Sequence, residues 1–173
     1  INTNIYADNF LISNCGKNVQ LALGGDYSFV NCTIASYSNF FIDHKNPVLQ
    51  VTNFADQGNT TFVRDLDARF TNCIFWGEGG SVENEIVVSK KPNTFFSVIF
   101  DNTLYKVKDS DPADATFAND TIKNSDPLFD SINISKNYYD FHFTKDPSAP
   151  AIDKGSVTIY PADLDDFIRT GIP

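Results

Sequence analysis

An all-β solenoid, in which parallel strands coil into a β-helix and a C-terminal cap packs on the last coil, is the fold this sequence predicts. Three observations carry the prediction. A block of the form Phe-x-Asn-Cys/Thr-x-apolar recurs at residues 29–34, 70–75 and 100–105. Apolar residues alternate at period two in short runs rich in Val, Ile, Phe and Thr, which favours strands over helices. The loops between blocks change length while the blocks do not, as in stacked coils whose loops leave on one side. A β-sandwich also uses many short strands, but it gives no reason for one dipeptide to return at an aligned place.

Taken in order, the chain opens on strand-like sequence at Ile1 and reaches Asn14-Cys15, the first of four related pairs. Asn31-Cys32, Asn72-Cys73 and Asn102-Thr103 follow. Stacked coils repeat at about 4.8 Å, so equivalent residues form vertical ladders. Asn tolerates the left-handed backbone of a sharp corner, and stacked amides can bond to one another. Asn14, Asn31, Asn72 and Asn102 are therefore expected to form a corner ladder. Cys15, Cys32 and Cys73 are expected beneath it as small buried side chains, with Phe29, Phe70 and Phe100 stacked two residues earlier. Alternating strands are expected after each corner, at residues 19–23, 48–51 and 85–88. Parallel Cβ vectors on adjacent coils stand wider apart than the roughly 3.8 Å a disulfide prefers, so the thiols should be free.

Past Lys108 the pattern breaks. Residues 109–127 form an acidic run with two Asp-Pro pairs, followed by "LFDSI", "YYDFHFT" and the turn-rich "KDPSAPAIDKG". The division expected is β-helix coils at 1–108 and a capping region at 109–173, because a solenoid end needs cover. A chain without Met that begins in strand sequence leads us to expect a processed or excised piece, with upstream coils of the same parent chain as its natural neighbour.

The totals narrow the function classes. A net charge of −9 and a pI of about 4.4 argue against nucleic-acid partners, which need a basic face. No apolar run approaches the roughly 18 residues of a membrane-spanning helix. The three Cys and two His lie at no zinc-binding spacing. An acidic surface rich in Asn, Ser and Thr leans toward an extracellular setting.

The later motifs resemble a known group. "FTNCIFWG", "NEIVV", "SDPLFD", "YDFHFTKDPSAPAIDKG" and "DLDDFIRTGIP" look like the C-terminal part of bacterial pectin-lyase-like exported proteins, including those of choice-of-anchor type. The resemblance covers residues 65–173 well and the first third only through the repeat. An Ala is inserted in "SAPAIDKG", and Asp166 stands where Gly is usual. The resemblance implies a right-handed, single-stranded parallel β-helix and an exported or cell-surface location. Its implied activities are polysaccharide lyase or glycoside hydrolase, although the motifs specify fold more closely than reaction.

Candidate chemistry is sparse. Asp165-Asp166 with Arg169 could form a catalytic carboxylate pair, but the motif reads as a turn in the cap. The cluster Arg64, Asp65, Asp67 and Arg69 reads as a surface salt-bridge patch. Asp109, Asp111 and Asp114 offer three oxygens to calcium, without the spacing of an EF-hand. Trp76, Tyr138 and Tyr139 are the aromatics placed to stack on a sugar, Trp76 at the turn after its strand. His44 and His142 have no evident partner. The expectation is a non-catalytic segment of an exported or surface protein, for adhesion or carbohydrate binding, with no catalytic residues and no cofactor unless calcium; the alternative is part of a polysaccharide lyase or hydrolase.

Overall fold

The computed structural model describes residues 3–144 and 146–169. Its strands form three parallel sheets and two antiparallel pairs, and among the described residues there is no α-helix. The first sheet runs in the order Asn4–Asp8, Gly25–Val30, Leu66–Thr71, Phe96–Asp101 and Thr116–Ala118. The second contains Leu11–Ser13, Thr33–Tyr37, Ile74–Glu78, Leu104–Tyr105 and Ile122–Lys123. The third contains Val19–Ala22, Leu49–Thr52 and Ile86–Ser89. The chain visits these sheets in turn, and each visit adds a strand beside the one laid down on the previous round.

In-register pairing explains why the repeat exists. Phe29 pairs with Phe70, Phe70 with Phe100 and Phe100 with Phe117. Their rings stack with centroids 5.4, 5.0 and 5.0 Å apart, within the spacing that favours aromatic pairs. Ile34 and Phe75 from the second sheet, and Val19, Leu49, Val51 and Ile86 from the third, join the same buried cluster. All three sheets therefore share one core.

The corners between the first and second sheets are made by Asn9, Asn31, Asn72, Asn102 and Asn119, each at φ between 51° and 56°. The expected first rung, Asn14, is displaced. It too is left-handed, but it follows the second-sheet strand, where its Oδ1 accepts from the Tyr37 amide. The register between Leu11–Ser13 and Thr33–Tyr37 sets Asn9 beside Asn31 and Phe10 beside Cys32. Cys15 accordingly is exposed, whereas Cys32 and Cys73 are buried, and all three thiols are free.

The acidic stretch, expected to belong to the cap, instead supplies one more round. Thr116–Ala118 and Ile122–Lys123 join the first and second sheets, with Phe117 as the fourth stacked ring and Asn119 at the corner. After it, Phe129–Asn133 and Tyr138–Phe143 form an antiparallel pair joined through a single 3-10 turn, Ile134–Lys136. Phe129, Ile132, Tyr139 and Phe141 pack on Ala35, Tyr37, Ile74, Trp76 and Leu104, the outward-facing side chains of the second sheet. That cover explains the uninterrupted apolar run at Ile74-Phe75-Trp76, since a strand buried on both faces has no polar side.

Candidate functional site

Four of the five corner asparagines turn their amides outward to the final described segment, while the fifth, Asn119, donates to Asp101 Oδ1. Asn102 Nδ2 donates to the Lys154 carbonyl at 2.8 Å. Asn72 Nδ2 donates to the Ser156 carbonyl at 2.8 Å, and its Oδ1 accepts from the Ser156 amide at 2.8 Å. Asn31 Nδ2 reaches Thr158 Oγ1 at 3.2 Å, and Asn9 Nδ2 donates to the Ala162 carbonyl at 2.9 Å. Within the ladder, Asn72 Nδ2 also bonds Asn31 Oδ1 at 2.9 Å. Asn9, Asn31, Asn72 and Asn102 thus shape corners and dock the tail rung by rung.

Between this ladder, the strand Tyr138–Phe143 and the tail lie two adjoining pockets of about 390 and 330 Å³. Both are lined by Asn31, Thr33, Phe141, Asp163 and Arg169. The first adds Asn9, Phe10, Leu11, Tyr138, Tyr139, Asp140, His142 and Asp165. The second adds Asn72, Cys73, Asn102, Thr103, Lys154 and Gly155.

His142 ties the two walls of the first pocket. Its Nδ1 lies 2.5 Å from Asp140 Oδ1 and its Nε2 2.5 Å from Asp165 Oδ2. These carboxylates, Asp165 foremost, raise its pKa to about 9, so it is an imidazolium at neutral pH. The His142 amide and ring in turn lower the pKa of Asp140. Asp140 and His142 share one strand face because side chains alternate across a strand, so this pair was readable in "YDFHF". Asp165 comes from the tail and was not. Arg169 hydrogen-bonds the Tyr160 and Ala162 carbonyls, and its Nη2 reaches Asn9 Oδ1 at 2.6 Å.

The residues singled out from sequence do not converge on one place. Tyr138, 55% exposed, and Tyr139 line the first pocket. Trp76 lies within the strand Ile74–Glu78, 4% exposed under the antiparallel pair, with Lys106 Nζ 5.0 Å from its ring centroid. Its remaining edge faces a separate 250 Å³ pocket, so the exposure expected of it is not found. Asp111 faces Lys123 and the Tyr105 hydroxyl, while Asp114 faces Lys90. The expected calcium trio is therefore split among separate cations, and no three metal-ligating side chains gather among the described residues. Asp165 is held by His142 and Arg169 by main-chain carbonyls, so they form no free carboxylate dyad with Asp166. Arg69 pairs with Asp101 rather than with Asp65 or Asp67.

His44, expected to be unpartnered, is buried against Glu85, with Nε2 2.9 and 3.0 Å from the two carboxylate oxygens. Gly77 passes so close that a Cβ there would strike both groups. This pair stands apart from the two pockets.

No protein-family model, curated protein or solved structure matches the chain. Among the described residues no helix is long and apolar enough to cross a membrane.

Proposed function

We propose that the three sheets wrap their shared core as a right-handed parallel β-helix, and that the chain is a non-catalytic, glycan-binding segment of an exported or cell-surface protein. The fold reading is supported by the cyclic order of sheets and by the in-register ladders. Its handedness follows from the preference of parallel crossovers, about 98% of them right-handed. The pectin-lyase-like resemblance of the C-terminal motifs agrees with both parts of the reading. At the other end, Ile5, Ala7, Ile12, Val19, Leu21 and Phe29 line a core opening of about 590 Å³ beside unpaired strand edges. Upstream coils of the same parent chain are the partner that would continue every ladder there.

The observation that carries the binding role is the first pocket, where the exposed Tyr138 stands beside Asn9, Asn31 and Asp140. Tyrosine faces stack on the apolar face of a sugar ring, and amide and carboxylate oxygens accept from its hydroxyls. A lyase or hydrolase of this fold is the weaker reading. For a hydrolase the acid and base would have to be free carboxylates, yet Asp140 and Asp165 both clamp one imidazolium.

Affinity gels cast with neutral and acidic plant and mucosal polysaccharides test the proposal. Retention by at least one is expected, with Tyr138→Ala weakening it about tenfold, the equivalent of about 1.4 kcal/mol for a lost stacking partner. Release of unsaturated or reducing ends by this chain would overturn the non-catalytic reading, and retention unchanged in Tyr138→Ala would overturn the site.

A further inference from the structure

We propose that the glycan is a neutral chain of several sugar units, and that Phe40 and Phe41 are a landing for the units that extend past the first pocket. This inference rests on the glycan-binding reading and adds to it the charge and length of the ligand.

Phe40 is 95% exposed, the barest large apolar side chain among the described residues, and its neighbour Phe41 is 78% exposed. The two rings meet edge to face with centroids 5.4 Å apart, which leaves at least one face of each open for stacking. Adjoining bare rings mark a docking place more often than single ones do.

The turn that carries them is fixed at both ends. Asn39 Oδ1 accepts from the Phe41 and Ile42 amides, each at 2.8 Å, and the Asn39 amide donates to the Ile42 carbonyl at 2.8 Å. Upstream, the Ser38 amide donates to the Glu78 carbonyl at 2.9 Å. Downstream, the His44 carbonyl accepts from the Ser81 amide at 3.1 Å, and the His44 ring is buried against Glu85. The His44–Glu85 pair thus anchors the turn, although it stands apart from both pockets. A turn arranged in advance gives up little conformational freedom when a ligand arrives.

The same turn is tied to the first pocket. Asn39 Nδ2 donates to the Tyr139 hydroxyl at 2.8 Å and lies 3.3 Å from Asn137 Oδ1. Tyr139 lines that pocket, as does Tyr138, so Phe40 and Tyr138 each stand one residue from an end of the Asn39–Asn137 bond. Tyr139 and Phe141 pack toward the second sheet, so alternation turns Tyr138 away from it. Asn31, at the far wall of the pocket, precedes the strand Thr33–Tyr37, and Phe40 follows it. Those 5 residues at about 3.3 Å each span roughly 16 Å. A ligand reaching from Asn31 past Tyr138 to Phe40 is therefore longer than a single sugar.

Charge narrows the ligand further. Residues 38–42 carry none, and beyond them Asp43 and Lys45 pair with each other at 2.8 Å. The two cations that line the first pocket, His142 and Arg169, are engaged by Asp140 and Asp165 and by Asn9 and main-chain carbonyls. Neither is free to meet a sugar carboxylate, and a net charge of −9 repels acidic polysaccharides.

The test is titration calorimetry of the chain with glucose, mannose, galactose, N-acetylglucosamine and uronic-acid oligosaccharides, from disaccharide to hexasaccharide. At least one neutral series should bind about tenfold more tightly as hexasaccharide than as disaccharide. Phe40→Ala combined with Phe41→Ala should remove that gain and leave disaccharide affinity unchanged, whereas Tyr138→Ala should weaken both lengths. Neither phenylalanine belongs to an apolar core cluster, so the double variant should keep the wild-type Tm. Affinity independent of length, or a hexasaccharide bound equally by the wild type and the double variant, would overturn the landing while sparing the first pocket. Tighter binding of a uronic-acid hexasaccharide than of every neutral one would overturn the neutral ligand. No binding of any sugar at any length would overturn the glycan reading, and this inference with it.

Discussion

Replacing Asn72 with Ala should be among the most damaging single changes outside the core. Asn72 sits at φ 53°, a conformation that costs most non-glycine residues about 1–2 kcal/mol. Its side chain bonds Asn31 Oδ1, the Ser156 carbonyl, the Ser156 amide and the Ser156 hydroxyl, each worth about 1 kcal/mol net. Four lost bonds and a strained backbone come to about 5 kcal/mol. At about 2–4 °C per kcal/mol for a chain of this length, Tm should fall by about 10–20 °C. Asn72→Gly removes the strain and should recover about 1 kcal/mol. Asn14→Ala is the control, because Asn14 is left-handed but its side chain makes one tertiary bond among the described residues, from the Tyr37 amide; it should cost about half as much. Thermal melts of the four proteins, with limited proteolysis of residues 154–169, measure both parts. Equal losses for Asn72→Ala and Asn14→Ala, with the tail equally protected, would refute the claim that the ladder docks the tail.

Two further outcomes follow from particular contacts. The His142 imidazole should titrate near pH 9 when followed by NMR. Its folded-state value is raised above the ordinary one of about 6.5, so its hold on the tail is complete below about pH 6.5 and lost as pH rises through about 9. Asp165→Asn should move the midpoint down, and a wild-type midpoint at 6.5 would refute the clasp. Gly77→Ala would push a methyl into the His44–Glu85 pair; a loss of about 1–3 kcal/mol from overpacking is expected in thermal melts, and a variant as stable as wild type would contradict the packing.

Much of the fold was legible because stacking leaves a mark in sequence. Identical side chains must recur wherever strands pair in register, and Phe29, Phe70 and Phe100 with their Asn neighbours did so. The same rule reaches Phe117-Ala118-Asn119, which repeats Phe-x-Asn inside a stretch whose Asp and Pro content reads as loop. Composition there hid a rung that the pattern itself carried. Asn14-Cys15 failed in the opposite way. The dipeptide matches the repeat, yet no Phe precedes it by two residues, and Asn9, between Asp8 and Phe10, takes the corner instead. An Asn at a left-handed corner looks the same in sequence whichever two strands it joins.

The candidate site was far less legible, and the reason is distance along the chain. Period-two alternation fixes that Asp140 and His142 share a face, but Asp165 and Arg169 reach that face only through the path of the tail. Trp76 ends an apolar strand, and local sequence cannot say that Phe129, Tyr139 and Phe141 will cover it. Likewise the acidic triplet at Asp109, Asp111 and Asp114 is compact in sequence but is drawn apart by Lys123 and Lys90. Strand class, parallel ladders, stacked phenylalanines and asparagine corners can be read from the order of residues, because each follows from short-range pattern and backbone preference. The grip of the asparagine amides on the tail and the two pockets beside Arg169 cannot, because those contacts join segments more than 30 residues apart through surfaces that no local periodicity encodes.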